Sequence, residues 1–279
     1  MTYKNLFLIL FIAIIYFSCG KKNQISPEKK ENQVKQYKLV WSDEFNGNKV
    51  NKGNWSFVLW KAGKVNNEWQ KYVENIENYK VENGILSISA IRTGKNEKGG
   101  YTSTRLSSKN KKEFKYGRIE FRAKMPMGKG TWPALWMLGS NHDNAGWPKC
   151  GEIDILEYVG YQPNTTHTNI HTQDDFGVTN NKTAINVKTA EKDFHTYGII
   201  WTKDAIKFYV DSPDNIKNTY IPKEKNIKNW PFNQPFYLIM NFAVGGVWGG
   251  KEGVDKTIWP QTMQVDYVRV YQLKQNDGN

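Results

Sequence analysis

The segment Glu152-Ile153-Asp154-Ile155-Leu156-Glu157 places three carboxylates inside an apolar run. The run continues with β-branched and aromatic residues to Val159, and residues of these types favour a β-strand. Because strand side chains alternate between two faces, Glu152 and Asp154 point to one side and the isoleucines point to the core. The segment therefore predicts a strand with one acidic face and one core face.

Glu157 has the wrong parity to join the other two carboxylates on a regular strand. One extra residue, a β-bulge at about Leu156, would return it to the acidic face, and bulges are common beside active sites. The Cα atoms of Glu152 and Glu157 would then lie roughly 13 Å apart. Side chains leaning together would leave roughly 5 Å between the carboxyl groups, close to the separation in retaining glycosidases.

A structural interpretation of the same pattern is that the acidic face is simply solvated. Three carboxylates in one stripe repel each other, however, and a purely structural strand would intersperse Lys or Thr among them. The segment therefore favours a catalytic set of carboxyl groups.

The first residues have a different pattern from the rest of the chain. Lys4 precedes the apolar stretch 6–17, which is short for a transmembrane span and typical of a secretory signal. The stretch ends in Ser18-Cys19-Gly20, which resembles the lipobox of bacterial lipoproteins. On that resemblance residues 1–18 are removed and Cys19 is lipidated, which predicts a lipoprotein anchored to a bacterial membrane on its periplasmic or cell-surface face. An ordinary cleaved signal is the alternative.

The remaining chain divides by composition. Residues 19–36 are polar and Lys-rich and predict a flexible tether, residues 37–273 predict one large β domain, and residues 274–279 predict a polar tail. The formal net charge is +12, but the basic residues of the domain are scattered, which argues against nucleic-acid binding. Nothing in the sequence indicates an oligomer, so a monomer is expected. With Cys19 acylated, Cys150 has no partner for a disulfide.

Alternating hydrophobicity recurs along the whole domain. It is clearest at 86–90, 119–125, 206–210 and 268–270, and turn signals such as Asn83-Gly84 and Gly245-Gly246 separate the runs. Many short strands with polar connections predict an all-β fold with two packed antiparallel sheets, a β-jelly-roll sandwich with an open cleft.

The chain is rich in aromatic side chains. It contains 11 Trp and 15 Tyr, more than a sandwich core of this size requires. Trp132 and Trp136 share strand parity and can line one face, where indole rings would pack against the C–H faces of sugar rings. Both could instead fill the core. Trp248 lies in a Gly-rich loop, where an exposed indole would suit substrate binding.

Polar residues complete the set of candidates. His171 shares strand parity with His167 and closely follows the acidic strand, which suggests a place in a sugar-binding cleft. Zinc binding by this pair would need a third ligand, and the sequence has no HExxH signal. Asn67 and Asn241 could bind sugar hydroxyls through their amides, although either could be structural.

Taken together, these residues resemble glycoside hydrolase family 16. The segments that carry the resemblance follow in order through the domain: 41–47, 116–124, 130–138, 151–160, 240–246 and 265–271. Within the family the chain looks most like the bacterial laminarinases, which cut β-1,3-glucan internally. Lichenases typically have one residue fewer in the acidic motif, so the bulged form speaks against a strict lichenase.

The resemblance implies roles for individual residues. Glu152 would be the nucleophile, Glu157 the general acid/base and Asp154 the group between them. It also implies a structural calcium ion at Glu44, the Gly84 carbonyl and Asp266, and no organic cofactor. The expected activity is retaining endo-β-1,3-glucan hydrolysis. The alternatives are a non-catalytic glycan-binding lipoprotein and a related hydrolase of mixed-linkage glucan or agar-type galactan.

Overall fold

The computed structural model describes residues 36–274, which form 18 β-strands and two short helices. In chain order these are β1 (Tyr37–Asp43), β2 (Ser56–Phe57), β3 (Gln70–Tyr72), β4 (Tyr79–Glu82), β5 (Ile85–Arg92), β6 (Tyr101–Ser103), β7 (Arg105–Ser107), β8 (Glu113–Phe114), β9 (Gly117–Lys124), β10 (Thr131–Gly139), α1 (His142–Ala145), β11 (Glu152–Tyr158), β12 (Thr165–His171), β13 (Thr183–Asn186), β14 (His195–Trp201), β15 (Ile206–Val210), β16 (Ile216–Tyr220), β17 (Phe236–Val244), α2 (Gly246–Gly249) and β18 (Gln261–Leu273).

The strands form two sheets. A ten-stranded sheet has the order β16-β15-β14-β9-β18-β5-β6-β3, with β1 paired to β18 and β4 paired to β5. An eight-stranded sheet has the order β13-β12-β11-β10-β17-β7-β2, with β8 paired to β17. The predicted all-β jelly-roll sandwich is confirmed. It differs from the prediction in one detail, since β3 and β6 pair in parallel.

The core between the sheets follows the predicted alternation. In β5 the side chains of Leu86, Ile88 and Ala90 are fully buried. In β10 the core side chains are Leu135 and Met137, while their even-numbered neighbours face away from the core. Burying an aliphatic side chain stabilises a fold by about 1.5–3 kcal/mol, so this pattern fixes which face of each strand points outward.

A β-bulge interrupts β11, as the parity of the acidic segment predicts. Leu156 pairs with Leu135 of β10, whereas the next pair joins Asp154 to Trp136, so Ile155 is the extra residue. The register against β12 shifts over the same stretch. Ile155 and Leu156, although consecutive, are both buried in the core cluster, and this returns the following residue to the opposite face.

The predicted signal peptide 1–18, the lipidation site Cys19 and nearly all of the tether 19–36 lie outside the described residues. So does the polar tail beyond residue 274. Within residues 36–274, no helix has the length and apolar character needed to cross a membrane.

Candidate active site

A cavity of about 500 Å³ opens on the outer face of the eight-stranded sheet; we call it the cleft. Its floor comes from the strand faces that alternation turns away from the core. The floor residues are Arg105 and Ser107 of β7, Trp132, Ala134, Trp136 and Leu138 of β10, Tyr237, Ile239, Asn241 and Ala243 of β17, and Glu152, Asp154 and Glu157 of β11.

The three carboxylates of β11 lie together in the cleft, on the side that the bulge determines. Asp154 is 3% exposed, and the Glu152 side chain is 16% exposed. His171 faces both of them from β12, with its Nε2 atom 3.3 Å from Asp154 Oδ2 and 3.7 Å from Glu152 Oε1. One ligand-type atom from each of these three residues lies within 4.8 Å of the others. The site is therefore a compact acidic cluster with an imidazole at its edge.

The two glutamates have different hydrogen-bond donors. Trp147 Nε1 donates to Glu152 Oε2 at 2.9 Å, and Trp132 Nε1 donates to Glu157 Oε1 at 3.2 Å. Trp147 comes from the loop between β10 and β11, and Trp132 comes from β10 itself. Each indole fixes the rotamer of one carboxyl group, so the two groups are held in place before a ligand arrives.

Burial raises the pKa of all three carboxyl groups. The pKa of Glu152 lies well above its usual range because of burial and the neighbouring Asp154 charge. The pKa of Asp154 is also well above its usual range, through burial and the Glu157 charge. Burial raises the pKa of Glu157, while Lys182 and the Trp132 hydrogen bond oppose that rise. Like charges this close oppose full ionisation of the cluster, so it holds a proton to a higher pH than separate carboxyl groups would. A retained proton beside an ionised carboxylate is what acid catalysis paired with nucleophilic attack requires.

Asn241 and Trp136 belong to one hydrogen-bonded network in the cleft floor. Trp136 Nε1 donates to Asn241 Oδ1 at 2.7 Å, and Asn241 Nδ2 donates to the Tyr72 hydroxyl at 3.0 Å. The Tyr72 hydroxyl lies 3.4 Å from Glu68 Oε2, which also accepts from Gln70 Nε2 at 2.7 Å. The network orients the indole and the amide together, and Glu68, Trp136 and Asn241 all line the cleft.

Arg105 is a cleft residue that the sequence analysis missed. Its guanidinium carbon lies 4.3 Å from the ring centroid of Trp60 and 4.8 Å from that of Trp136. It is buried, and its Nε atom has no hydrogen-bond partner within residues 36–274. The available signal was the short alternation of Arg105, Leu106 and Ser107, which puts a cation on a sheet face opposite a core leucine.

Two predicted substrate-binding residues lie outside both the cleft lining and the acidic cluster. Asn67 is exposed and accepts a hydrogen bond from Lys98, while its neighbours Asn66 and Glu68 line the cleft. Trp248 packs edge-on against Trp132, with their ring centroids 5.5 Å apart. Trp132, Trp136, His171 and Asn241, by contrast, lie in the cleft or on its acidic cluster.

Two residues of the predicted calcium site, Glu44 and Gly84, come together just past the end of β1, and neither lines the cleft. The main-chain oxygen of Glu44 lies 3.9 Å from the position that a Cβ atom on Gly84 would occupy. The carboxylates, however, are taken by arginines: Glu44 accepts two hydrogen bonds from Arg269, and Asp266 pairs with Arg122. A calcium ion here would therefore depend on main-chain oxygens, which are suitable hard ligands. The calcium site stays a prediction.

Comparison with known proteins agrees with this geometry. Residues 57–269 match the family model of glycosyl hydrolases family 16. A beta-glucanase of Rhodothermus marinus is 42% identical over 254 residues, which cover 87% of this chain and 87% of that protein. The laminarinase structure from Flavobacterium sp. UMI-01 is 47% identical, with a TM-score of 0.78, and the match covers 84% of this chain and 100% of that chain. The laminarinase structure from Rhodothermus marinus is 41% identical, with a TM-score of 0.80, and the match covers 87% of this chain and 100% of that chain.

Trp147→Phe should raise the pKa of Glu152, because the indole hydrogen bond stabilises the ionised carboxylate. A hydrogen bond to a charged group is worth about 1.5–3 kcal/mol, so a rise of about one to two units is expected. Carboxyl ¹³C NMR titration of the variant and the unaltered protein measures it. Trp60→Phe, which changes a contact with Arg105 instead, is the control. A Glu152 pKa that stays the same in Trp147→Phe would contradict the assigned hydrogen bond.

Proposed function

The chain belongs to glycosyl hydrolases family 16, and from this premise we propose that it is a retaining endo-β-1,3-glucanase that hydrolyses laminarin-type β-glucans. The observation that carries the proposal is the bulged strand β11, which turns Glu152 and Glu157 toward one open cleft. The similar proteins named beta-glucanase and laminarinase support the substrate class.

The first step of the proposed reaction breaks the glycosidic bond. Glu157 donates its proton to the leaving oxygen while ionised Glu152 attacks the anomeric carbon and forms a glycosyl-enzyme. Trp147 favours this arrangement because its N–H stabilises the carboxylate form of Glu152. Burial raises the pKa of both glutamates and so keeps a proton on Glu157, while the His171 charge and the Trp147 hydrogen bond oppose its effect on Glu152.

The second step releases the sugar from the enzyme. Glu157, now ionised, removes a proton from water, and the water oxygen replaces Glu152 at the anomeric carbon. Inversion in each step gives overall retention of configuration. Asp154 lies between the two glutamates in the cluster, so its own charge sets how the proton is shared among the three groups.

The cleft floor suits a neutral sugar chain. Trp136 and Trp132 provide aromatic surface, while Asn241 and Arg105 supply amide and guanidinium donors beside them. Sugars bind in this way, because their C–H faces need apolar contact and their rims need hydrogen bonds.

Substrate assays separate the candidate activities. Product sizing on laminarin, mixed-linkage glucan and agar tests the linkage, and short oligosaccharides from laminarin are the expected result. Internal cleavage of mixed-linkage glucan or agar without cleavage of laminarin would instead favour the related hydrolases. Binding of laminarin with no new reducing ends would favour a glycan-binding protein, although such a protein would not need both glutamates.

Glu152→Ala should lower kcat on laminarin by about 10⁴-fold or more, since removal of a nucleophile has effects of that size. Azide can enter the space left by the carboxylate, so it should restore some cleavage and give a product of inverted configuration. Reducing-end assays and NMR of the glycosyl azide measure both results. Glu82→Ala, an exposed carboxylate on β4, is the control. Unimpaired hydrolysis by Glu152→Ala would remove that residue from the nucleophile role.

Glu157→Ala should lower turnover of laminarin by about 10²–10⁴-fold, the usual contribution of a general acid. Aryl glycosides with a good leaving group need little protonation, so their first step should lose much less. Burst kinetics with such a substrate measure glycosyl-enzyme formation separately from its hydrolysis. Equal losses on both substrates would count against Glu157 as the acid.

We also propose that Cys19 carries a lipid and anchors the enzyme to a bacterial membrane. The support is the apolar stretch 6–17 followed directly by the lipobox-like residues, and lipid anchoring follows from the acyl chains.

Cys19→Ser should move the enzyme from the membrane fraction to the soluble fraction and abolish incorporation of labelled palmitate. Laminarin hydrolysis per enzyme should stay unchanged, because the domain begins well after the anchor. Cys150→Ser controls for the other cysteine. If the unaltered protein does not incorporate labelled palmitate, the lipoprotein assignment is wrong.

A further inference from the structure

Lys182 lies directly before β13, on the same sheet face as the catalytic carboxylates. Thr183 pairs with Thr168, and Ala184 pairs with His167, which pairs in turn with Glu157. Cross-strand partners share a face, and residues two apart on a strand do as well. Lys182 therefore projects on the cleft side, two strands away from the acidic cluster.

The Lys182 ammonium is held over an indole ring. Its Nζ atom lies 3.1 Å from the ring centroid of Trp248. Trp248 in turn contacts Trp132 and His167, with centroid distances of 5.5 Å and 5.0 Å. Trp132 donates to Glu157, so one continuous set of contacts joins the ammonium to the acid/base.

The ammonium has no ion-pair partner in the described part of the chain. None of the twelve ion pairs there includes Lys182, although the residue is partly buried. Burial lowers the pKa of this ammonium, and the Glu157 and Asp154 charges raise it. A partly buried cation without a partner is costly, and the Glu157 and Asp154 charges on the same sheet face compensate it.

We propose that Lys182 is a positioning residue for the proposed glucanase reaction. Its ammonium is held over the ring of Trp248, and its positive charge stabilises the ionised form of Glu157. The proposal rests on the proposed function and adds to it a residue outside the acidic motif. A cation here stabilises the ionised form of Glu157 that the second step needs. It also limits the rise in pKa that burial and two neighbouring carboxylates would otherwise cause.

Other charged groups face Glu157 and define what Lys182 adds. Asp154 and Glu152 of β11 disfavour its ionisation, and His171 of β12 favours it when protonated. His167, also of β12, has its pKa lowered to about 4 by burial and by Lys182, so it is neutral at working pH. Lys182 is therefore the lysine whose charge acts on Glu157, while the other cleft cation, Arg105, interacts with Glu152.

The test compares Lys182→Met with Lys182→Arg and the unaltered full-length enzyme. Hydrolysis requires protonated Glu157, so kcat/KM falls as pH rises through its pKa. Loss of the cation raises that pKa, and the alkaline limb of the Lys182→Met profile should move up by about half a unit to one unit. In Lys182→Arg the alkaline limb should move by only a small fraction of that amount, because the positive charge is kept. Lys188→Met, an exposed lysine beyond β13, should leave it unchanged.

Carboxyl ¹³C NMR gives the Glu157 pKa without turnover and separates the two proposals. If the enzyme does not cleave laminarin but the Glu157 pKa still rises in Lys182→Met, the proposed function fails and the electrostatic role stands. If laminarin is cleaved and neither the NMR pKa nor the alkaline limb moves in Lys182→Met, the role of Lys182 is wrong. An equal shift in Lys182→Arg would also overturn it, since packing rather than charge would then be the cause. Lys182→Gln gives the same comparison if the methionine variant does not fold.

Discussion

The site depends on one local departure from strand regularity, the bulge at Ile155 and Leu156. A regular strand would put Glu152 and Glu157 on opposite faces, since they are an odd number of residues apart. The bulge buries two consecutive apolar side chains in the core and thereby restores Glu157 to the cleft. The driving force is the burial of both side chains, each worth about 1.5–3 kcal/mol. Core packing therefore determines the geometry of the acids.

The second constraint is electrostatic. Placing three carboxylates in a partly buried cleft is unfavourable unless donors and cations stabilise them. The structure meets this need from several elements: indoles from β10 and the following loop, an imidazole from β12 and an ammonium from the residue before β13. The two glutamates have different donors, Trp147 for Glu152 and Trp132 for Glu157. Carboxyl groups from one sequence motif can therefore have different roles.

Strand periodicity accounts for what the sequence could predict. Alternation identified the core faces of β5, β9 and β18, and parity put Trp132 and Trp136 on one face of a single strand, which the structure shows to be the cleft side. The bulge followed from the same parity argument, because Glu157 joins the face of Glu152 and Asp154 only if one extra residue is inserted before it. These features are local, and local patterns are what a single sequence contains.

The remaining features depend on contacts between distant segments. Asn67 points away from the cleft because it lies in a turn where it and Asn66 both have left-handed backbone angles, with φ values of 52° and 51°. No periodicity describes such a turn, so Asn67 could not be distinguished from its neighbours. The place of Arg105 in the cleft could not be recognised from the sequence, because it depends on contacts with Trp60 and Trp136. Those two residues come from separate parts of the chain.

The positions of the cations change the role of the aromatic residues in the cleft. Arg105 lies against both Trp60 and Trp136, and Lys182 lies against Trp248. A covered indole face cannot also stack on a sugar ring. Cation–π contact instead holds each charge at a fixed place. Trp136 and Trp248, two of the tryptophans that first suggested sugar stacking, therefore each support a cation on one ring face, and the rest of the Trp136 indole is what it offers to sugar in the cleft. The richness of the chain in tryptophan thus serves the electrostatics of the site as much as its apolar contact with sugar.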